Sequence, residues 1–123
     1  MTYKVAISSS DGKVVNQHFG HTENFSIIQV DENKQYHFFE ERLIEAPCST
    51  GGHDESALEK AVLAVVDCRY VLCAQIGGGA ERVLEIQGIQ AIAVRDFIEN
   101  AMQKLIAYDV KQYKYKEEVE SVL

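Results

Sequence analysis

The sequence predicts a single α/β domain built on a mixed five-stranded sheet with helices on both faces. Three observations predict it. Apolar runs of strand length and stretches of helical period follow one another in the order β-β-β-α-β-α-β-α. A hairpin region comes first, and the second half then alternates strictly between strand and helix, a pattern that makes parallel strands joined by right-handed crossovers. The length of 123 residues, with 46% apolar and 25% charged side chains, suits one ordinary hydrophobic core.

Residues 2–9 read as the first strand, with Val5 and Ile7 on one face and Ala6 on the other. Residues 10–21 form an opening loop with an Asp11-Gly12 turn. Phe25–Val30 reads as the second strand, and a polar turn over Asp31–Lys34 leads to a third, antiparallel strand over Gln35–Leu43. Ala46–Asp54 holds the only proline and two adjacent glycines, so it is a loop. A helix starts near Asp54 or Glu55, burying Ala57, Leu58, Ala61, Val62, Val65 and Val66 at helical spacing. The nearly continuous apolar run Tyr70–Ile76 suits a central parallel strand covered on both faces. Gly77-Gly78-Gly79 ends it, and a helix over residues 80–87 buries Val83, Leu84 and Ile86, with Gly88 as its C-terminal cap. Ile89–Val94 is the last strand. Asp96 caps a final helix that buries Ile98, Met102, Leu105 and Ile106. The charged, tyrosine-bearing stretch 110–123 is read as an extension to a domain over 1–109; composition leaves open whether it prolongs the helix, frays or docks on a partner.

The formal net charge of −7 excludes a nucleic-acid-binding surface, which needs clustered Lys and Arg. No apolar run approaches the roughly 20 residues of a membrane span, and Met1–Lys4 leads straight into a strand rather than a signal peptide. Three irregularly spaced cysteines (Cys48, Cys68, Cys73) do not form a disulfide framework, so a reducing cytoplasm is expected. Cys73 reads as a buried core residue, and Cys68 sits at the opposite end of its strand from the candidate site.

In mixed α/β sheets, ligands gather at the carboxyl ends of the parallel strands. For the first and fourth strands those ends are Ser8–Gly12 and Gln75–Gly79. The opening loop carries His18 and His21, three apart, and two imidazoles at that spacing reach one metal if Gly20 lets the backbone curl. Alternatively, one histidine hydrogen-bonds within the loop while the other is exposed. Cys48 and His53 place a thiol and an imidazole on a second loop, either as metal ligands or as an ordinary loop-to-helix junction. Gly77 and Gly78 are candidate anion-binding residues, because a glycine turn opening a helix presents free N–H groups; a tight turn explains them equally well. The motif lacks the Gly-Lys-Ser/Thr of a P-loop. A two-metal hydrolase using Asp11, Glu40 and Asp67 is disfavoured, since Asp67 precedes its strand and lies at the wrong rim.

The stretch Val5-Ala6-Ile7-Ser8-Ser9-Ser10-Asp11-Gly12, followed by Val15-Asn16-Gln17-His18-Phe19-Gly20-His21 and Phe25, resembles the opening motif of the dinitrogenase iron–molybdenum cofactor biosynthesis family, that of NifX, NafY and the C-terminal domain of NifB. The similarity continues through Cys48–His53, Asp67-Cys68, Val71-Leu72, Ile76-Gly77 and Gly88-Ile89, covering roughly residues 3–107. The resemblance implies a ribonuclease-H-like, three-layer α/β/α fold with one antiparallel strand. It also implies a protein that holds an iron–sulfur or iron–molybdenum cluster transiently, without being an enzyme, between cluster-donor and cluster-acceptor proteins. By the family motif His18 and His21 contact the cluster, with Ser10, Gly20, Gly77 and Gly78 around it; Cys48 and His53 are further metal ligands. The cysteines lie 20 and then 5 positions apart, so the Cys-x-x-x-Cys-x-x-Cys motif of the radical SAM half of NifB is not expected here. A regulatory or interaction module on the same fold, without a cluster, is the alternative.

Overall fold

The computed structural model describes residues 2–44 and 55–122, with side chains in the second stretch described over 57–113. Its strands are β1 (Tyr3–Ser8), β2 (Asn24–Val30), β3 (Tyr36–Leu43), β4 (Tyr70–Cys73) and β5 (Gln90–Ala93). The helices are α1 (Glu55–Ala64), α2 (Gly78–Ile86) and α3 (Ile98–Val122), and a 3-10 turn spans Phe19–His21. The sheet order is β3-β2-β1-β4-β5. β2 runs antiparallel to both β1 and β3, whereas β4 pairs parallel with β1 and β5. The expected mixed sheet with one antiparallel strand is therefore the observed one.

Alternation within the strands divides the core. Val5, Ile7, Ile28, Val30, Tyr70 and Leu72 face α3, through Ile98, Ala101, Met102 and Leu105. Ala6, Phe25, Ile27, Val71 and Cys73 face the other way, onto Ala61, Val62 and Val65 of the α1 side and Leu84 of α2. This makes three layers, α3 on one face and α1 with α2 on the other. Each fully buried large side chain contributes about 1.5–3 kcal/mol.

Several boundaries differ from expectation. β4 stops at Cys73, because the Ala74 amide donates to the Gln17 carbonyl and the Gln75 carbonyl accepts from Phe19. The end of the apolar run is thus claimed by the opening loop. α2 begins two residues early, at Gly78, so Gly78 and Gly79 form its first turn rather than preceding it. Ile86 is 76% exposed and Val66 48% exposed. α1 ends at Ala64, so Val66 no longer shares the buried helical face. Asp96 lies one residue outside a cap position; its carboxylate accepts from the Phe97 amide and from Asn100 Nδ2. Gly88, with φ +81°, terminates α2 as expected: its amide donates to Glu85 and that of Ile89 to Leu84. α3 continues across residues 109 and 110 without a break.

A histidine turn braced between two strand ends

The opening loop leaves β1 at Ser8 and is held at both ends. Its first half docks beside α3: Val15 donates to the Asp96 carbonyl at 2.9 Å, and Ile98 donates to the Lys13 carbonyl at 2.8 Å. Ser9 and Asp11 stitch the turn itself. Asp11 Oδ1 accepts from the Lys13 and Val14 amides, and Ser9 Oγ accepts from the Gly12 amide. These amide donors hold the Asp11 carboxyl below its ordinary pKa. Gly12 has φ +74°, which a glycine adopts at least cost. Ser10 is exposed, but its hydroxyl accepts from Asn16 Nδ2 at 2.8 Å while its amide donates to Asn16 Oδ1 at 3.0 Å. The Ser10–Asn16 pair closes the loop.

The second half docks beside β4. Phe19 donates to the Gln75 carbonyl at 2.8 Å, and His18 forms a parallel bridge with Gln75. Phe19 is fully buried against Phe25, anchoring the turn in the core. His18 is half-buried and His21 exposed, with ring centroids 5.0 Å apart in an edge-to-face arrangement. His18 Nδ1 accepts the Gly20 amide at 3.0 Å. Burial, and secondarily the proximity of His21, lower the His18 pKa and favour its neutral form.

Gly20 lies in the 3-10 turn Phe19–His21, where the backbone curls. It does not take a left-handed φ, and a Cβ there would sit 3.4 Å from His18 Nδ1, an ordinary contact distance. What the position contributes is its amide, which holds the ring.

The structure brings His18, Gly20 and His21 together and, through Gln75, sets them at the start of α2. Gly77 is the N-terminal cap residue, and it makes no side-chain cap bond to the first turn of that helix. Among the described residues, the first-turn amides and the positive end of the helix dipole form a candidate anion-binding end. Cys48 and His53 lie outside the described residues; the segment holding them leaves β3 after Ile44, whose amide donates to the Glu23 carbonyl next to β2. Among the described residues, no group of three or more His, Cys, Asp or Glu side chains is placed to hold a metal ion. Cys68 and Cys73 are free and buried, and burial pushes their thiols up to about 12 and about 11.

Two residues that sequence reasoning missed support the turn. Thr22 Oγ1 lies 2.8 Å from the His18 carbonyl and 2.9 Å from Ser8 Oγ, and both residues are fully buried. The carbonyl can only accept, so Thr22 gives it its proton and Ser8 supplies the proton between the hydroxyls. A cavity of about 710 Å³ opens elsewhere, on the α3 face, between Ile28, Tyr36 and Phe38 of the hairpin and Phe97 and Ile98; neither histidine lines it.

Fold and site define a mixed-sheet α/β domain that displays a histidine pair on a braced strand-end turn, beside a glycine-capped helix start. The chain belongs to the family described as dinitrogenase iron-molybdenum cofactor, whose model matches residues 1–122. It is 36% identical over 106 residues to the FeMo cofactor biosynthesis protein NifB of Herbaspirillum seropedicae, a match covering 85% of this chain and 19% of that protein. The chain spans about one fifth of the length of such curated relatives. Its fold is similar to that of the protein PH0822, with a TM-score of 0.60 at 20% identity, covering 85% of this chain and 90% of that one. It is also similar to a solved structure from Methanocaldococcus jannaschii, with a TM-score of 0.55 at 19% identity, covering 87% and 90%.

Proposed function

We propose that this chain is a small carrier domain of nitrogenase-type cofactor assembly, which holds an anionic iron–sulfur or iron–molybdenum cluster and hands it on without catalysing its synthesis. The observation that carries the reading is the position of His18. Its ring is fixed by the Gly20 amide, and its backbone is bridged to Gln75, two residues before Gly77, the cap of α2. An imidazole donor and a glycine-capped helix start, linked through the His18–Gln75 bridge, suit an anionic, acceptor-rich cargo, and they offset part of the repulsion from a chain of net charge −7. Cys48 and His53 are further candidate ligands on the segment that follows β3. Membership of the cofactor family supports the choice of cargo, and proteins that donate and receive the cluster are the partners this role requires. No described helix is long and apolar enough to cross a membrane. With two free buried thiols, this agrees with work in a reducing cytoplasm.

Anaerobic reconstitution with ferrous iron and sulfide tests the reading. The wild-type chain is expected to acquire a stoichiometric visible chromophore, and His18→Ala to lose most of it. Equal, weak absorption in both would instead favour a regulatory or interaction module that carries no cluster.

A further inference from the structure

The hydrogen bond that fixes His18 also determines what its outer nitrogen can offer. A backbone amide can only donate, so the Gly20 N–H 3.0 Å from His18 Nδ1 requires a lone pair on that nitrogen. In the neutral ring the proton is then on Nε2. Metal-ligating histidines show the reverse: the nitrogen away from the metal carries the proton and donates it to a carboxylate, a carbonyl or water. For Nε2 to bind a metal here, the proton would have to move to Nδ1. That would set two N–H donors face to face.

The turn has little freedom to avoid this conflict by rotating. The His18 carbonyl is held by Thr22, and the flanking Gln17 and Phe19 are bonded to Ala74 and Gln75. Phe19 is fully buried. The backbone that presents the Gly20 amide to the ring is therefore braced on both sides, and that amide sets the ring's orientation.

We propose that His18 engages its cargo as an Nε2–H hydrogen-bond donor to a sulfide on the surface of an anionic cluster, not as a metal ligand, with Gly20 as the positioning residue that fixes the tautomer. The inference rests on the carrier reading and specifies its chemistry. The cluster keeps its own metal ligands at this residue during uptake and release. No iron–nitrogen or molybdenum–nitrogen bond to His18 forms or breaks, and hand-over exchanges a hydrogen bond instead. The cargo this selects for is a preassembled, sulfide-surfaced cluster rather than a bare metal ion.

The test uses the full chain with ¹⁵N-labelled histidine, first as prepared and then loaded anaerobically with a preassembled, thiolate-capped four-iron four-sulfur cluster. In the unloaded chain, ¹⁵N spectra should show His18 protonated at Nε2 and unprotonated at Nδ1. In the loaded and reduced chain, hyperfine spectroscopy of the cluster should show no directly bonded ¹⁵N from His18. His18→Gln, whose amide nitrogen retains a donor in place of Nε2, should load nearly as well as wild type. His18→Ala should bind about tenfold more weakly, the worth of one charge-assisted hydrogen bond. An Nδ1-protonated ring in the unloaded chain, a strongly coupled histidine ¹⁵N that disappears in His18→Gln, or equal loss in the Gln and Ala variants overturns the donor role and leaves the carrier reading standing. Equal loading of all three chains overturns the carrier reading at this site as well.

Discussion

The two rims of the sheet are built from different chemistry. At the rim where β1 and β4 end, the opening loop is held by backbone amides, carbonyls and small hydroxyls, with His18 half-buried and His21 exposed. At the rim where the same strands begin, long side chains pack on one another. Tyr70 donates to the buried Asp109 carboxylate at 2.5 Å, and Arg69 pairs with the same group at 3.3 Å. The Arg69 guanidinium lies between the Tyr3 and Tyr113 rings, 4.4 and 4.5 Å from their centroids. Burial, reinforced by Asp109, pushes the Tyr3 phenol up to about 12, so it stays protonated at any physiological pH. The second rim fastens α3 to the sheet, and the thiol beside it, Cys68, is buried. The first uses its side chains to hold the turn that carries the two histidines.

If that contrast is right, the largest loss of stability should come from the packed rim. Asp109 is 3% exposed and serves two partners, so Asp109→Ala strands Tyr70 and leaves the partly exposed Arg69 without its counter-ion. We expect a loss of about 2–4 kcal/mol in denaturant unfolding, toward the lower part of the range for broken buried pairs because Arg69 retains some solvent. Cluster loading, measured at a temperature where the variant stays folded, should be unchanged. Loss of loading in the folded variant would show that the two rims are coupled.

The opposite pattern is expected at the site rim. Thr22→Val keeps the side-chain shape but leaves the His18 carbonyl and the Ser8 hydroxyl without their buried partner. The cost should be about 1–3 kcal/mol. Unlike Asp109→Ala, this variant should also speed hydrogen exchange at the Gly20 amide and weaken cluster loading. A stability loss with loading intact would mean that the histidine turn does not depend on its hydroxyl brace.

What the sequence made legible was whatever local periodicity controls. Val5 and Ile7 opposite Ala6 divided the core correctly, and the β-β-β-α-β-α-β-α order led to the observed sheet. Non-local hydrogen bonds were invisible. Ala74 and Gln75 sit inside a largely apolar stretch that runs on to Ile76, so nothing nearby in sequence says that they pair with a loop nearly sixty residues earlier instead of extending β4. Gly78 and Gly79 have poor helix propensity, which hid the true start of α2. At the site, the spacing of His18 and His21 was readable, and so was the rim that gathers them. Thr22 and Ser8 were not, because a bond between hydroxyls 14 residues apart leaves no pattern. Gly20 was readable as a position where the backbone curls, but the bond from its amide to the His18 ring was not.

The smallest expected effect returns to the packed rim, where Asp67, in the turn between α1 and β4, joins Arg42 at 2.6 Å and Lys4 at 3.2 Å. Hydrogen bonds from the Arg42 guanidinium hold the Asp67 carboxyl well below the usual carboxylate range. Because the folded pKa is depressed, the stabilisation is fully present above the ordinary carboxylate pKa near 4 and is lost as pH falls through the folded value. Asp67 keeps 42% of its side chain exposed, so water screens the pair and Asp67→Asn should cost only about 0.5–1 kcal/mol at neutral pH. The decisive measurement is the pH dependence: below about pH 4 wild type should lose stability more steeply than the variant, and the two curves should converge. Curves that stay parallel would mean that Arg42 holds α1 to β3 through its 2.8 Å bond to the Ala64 carbonyl, with the charge on Asp67 contributing nothing.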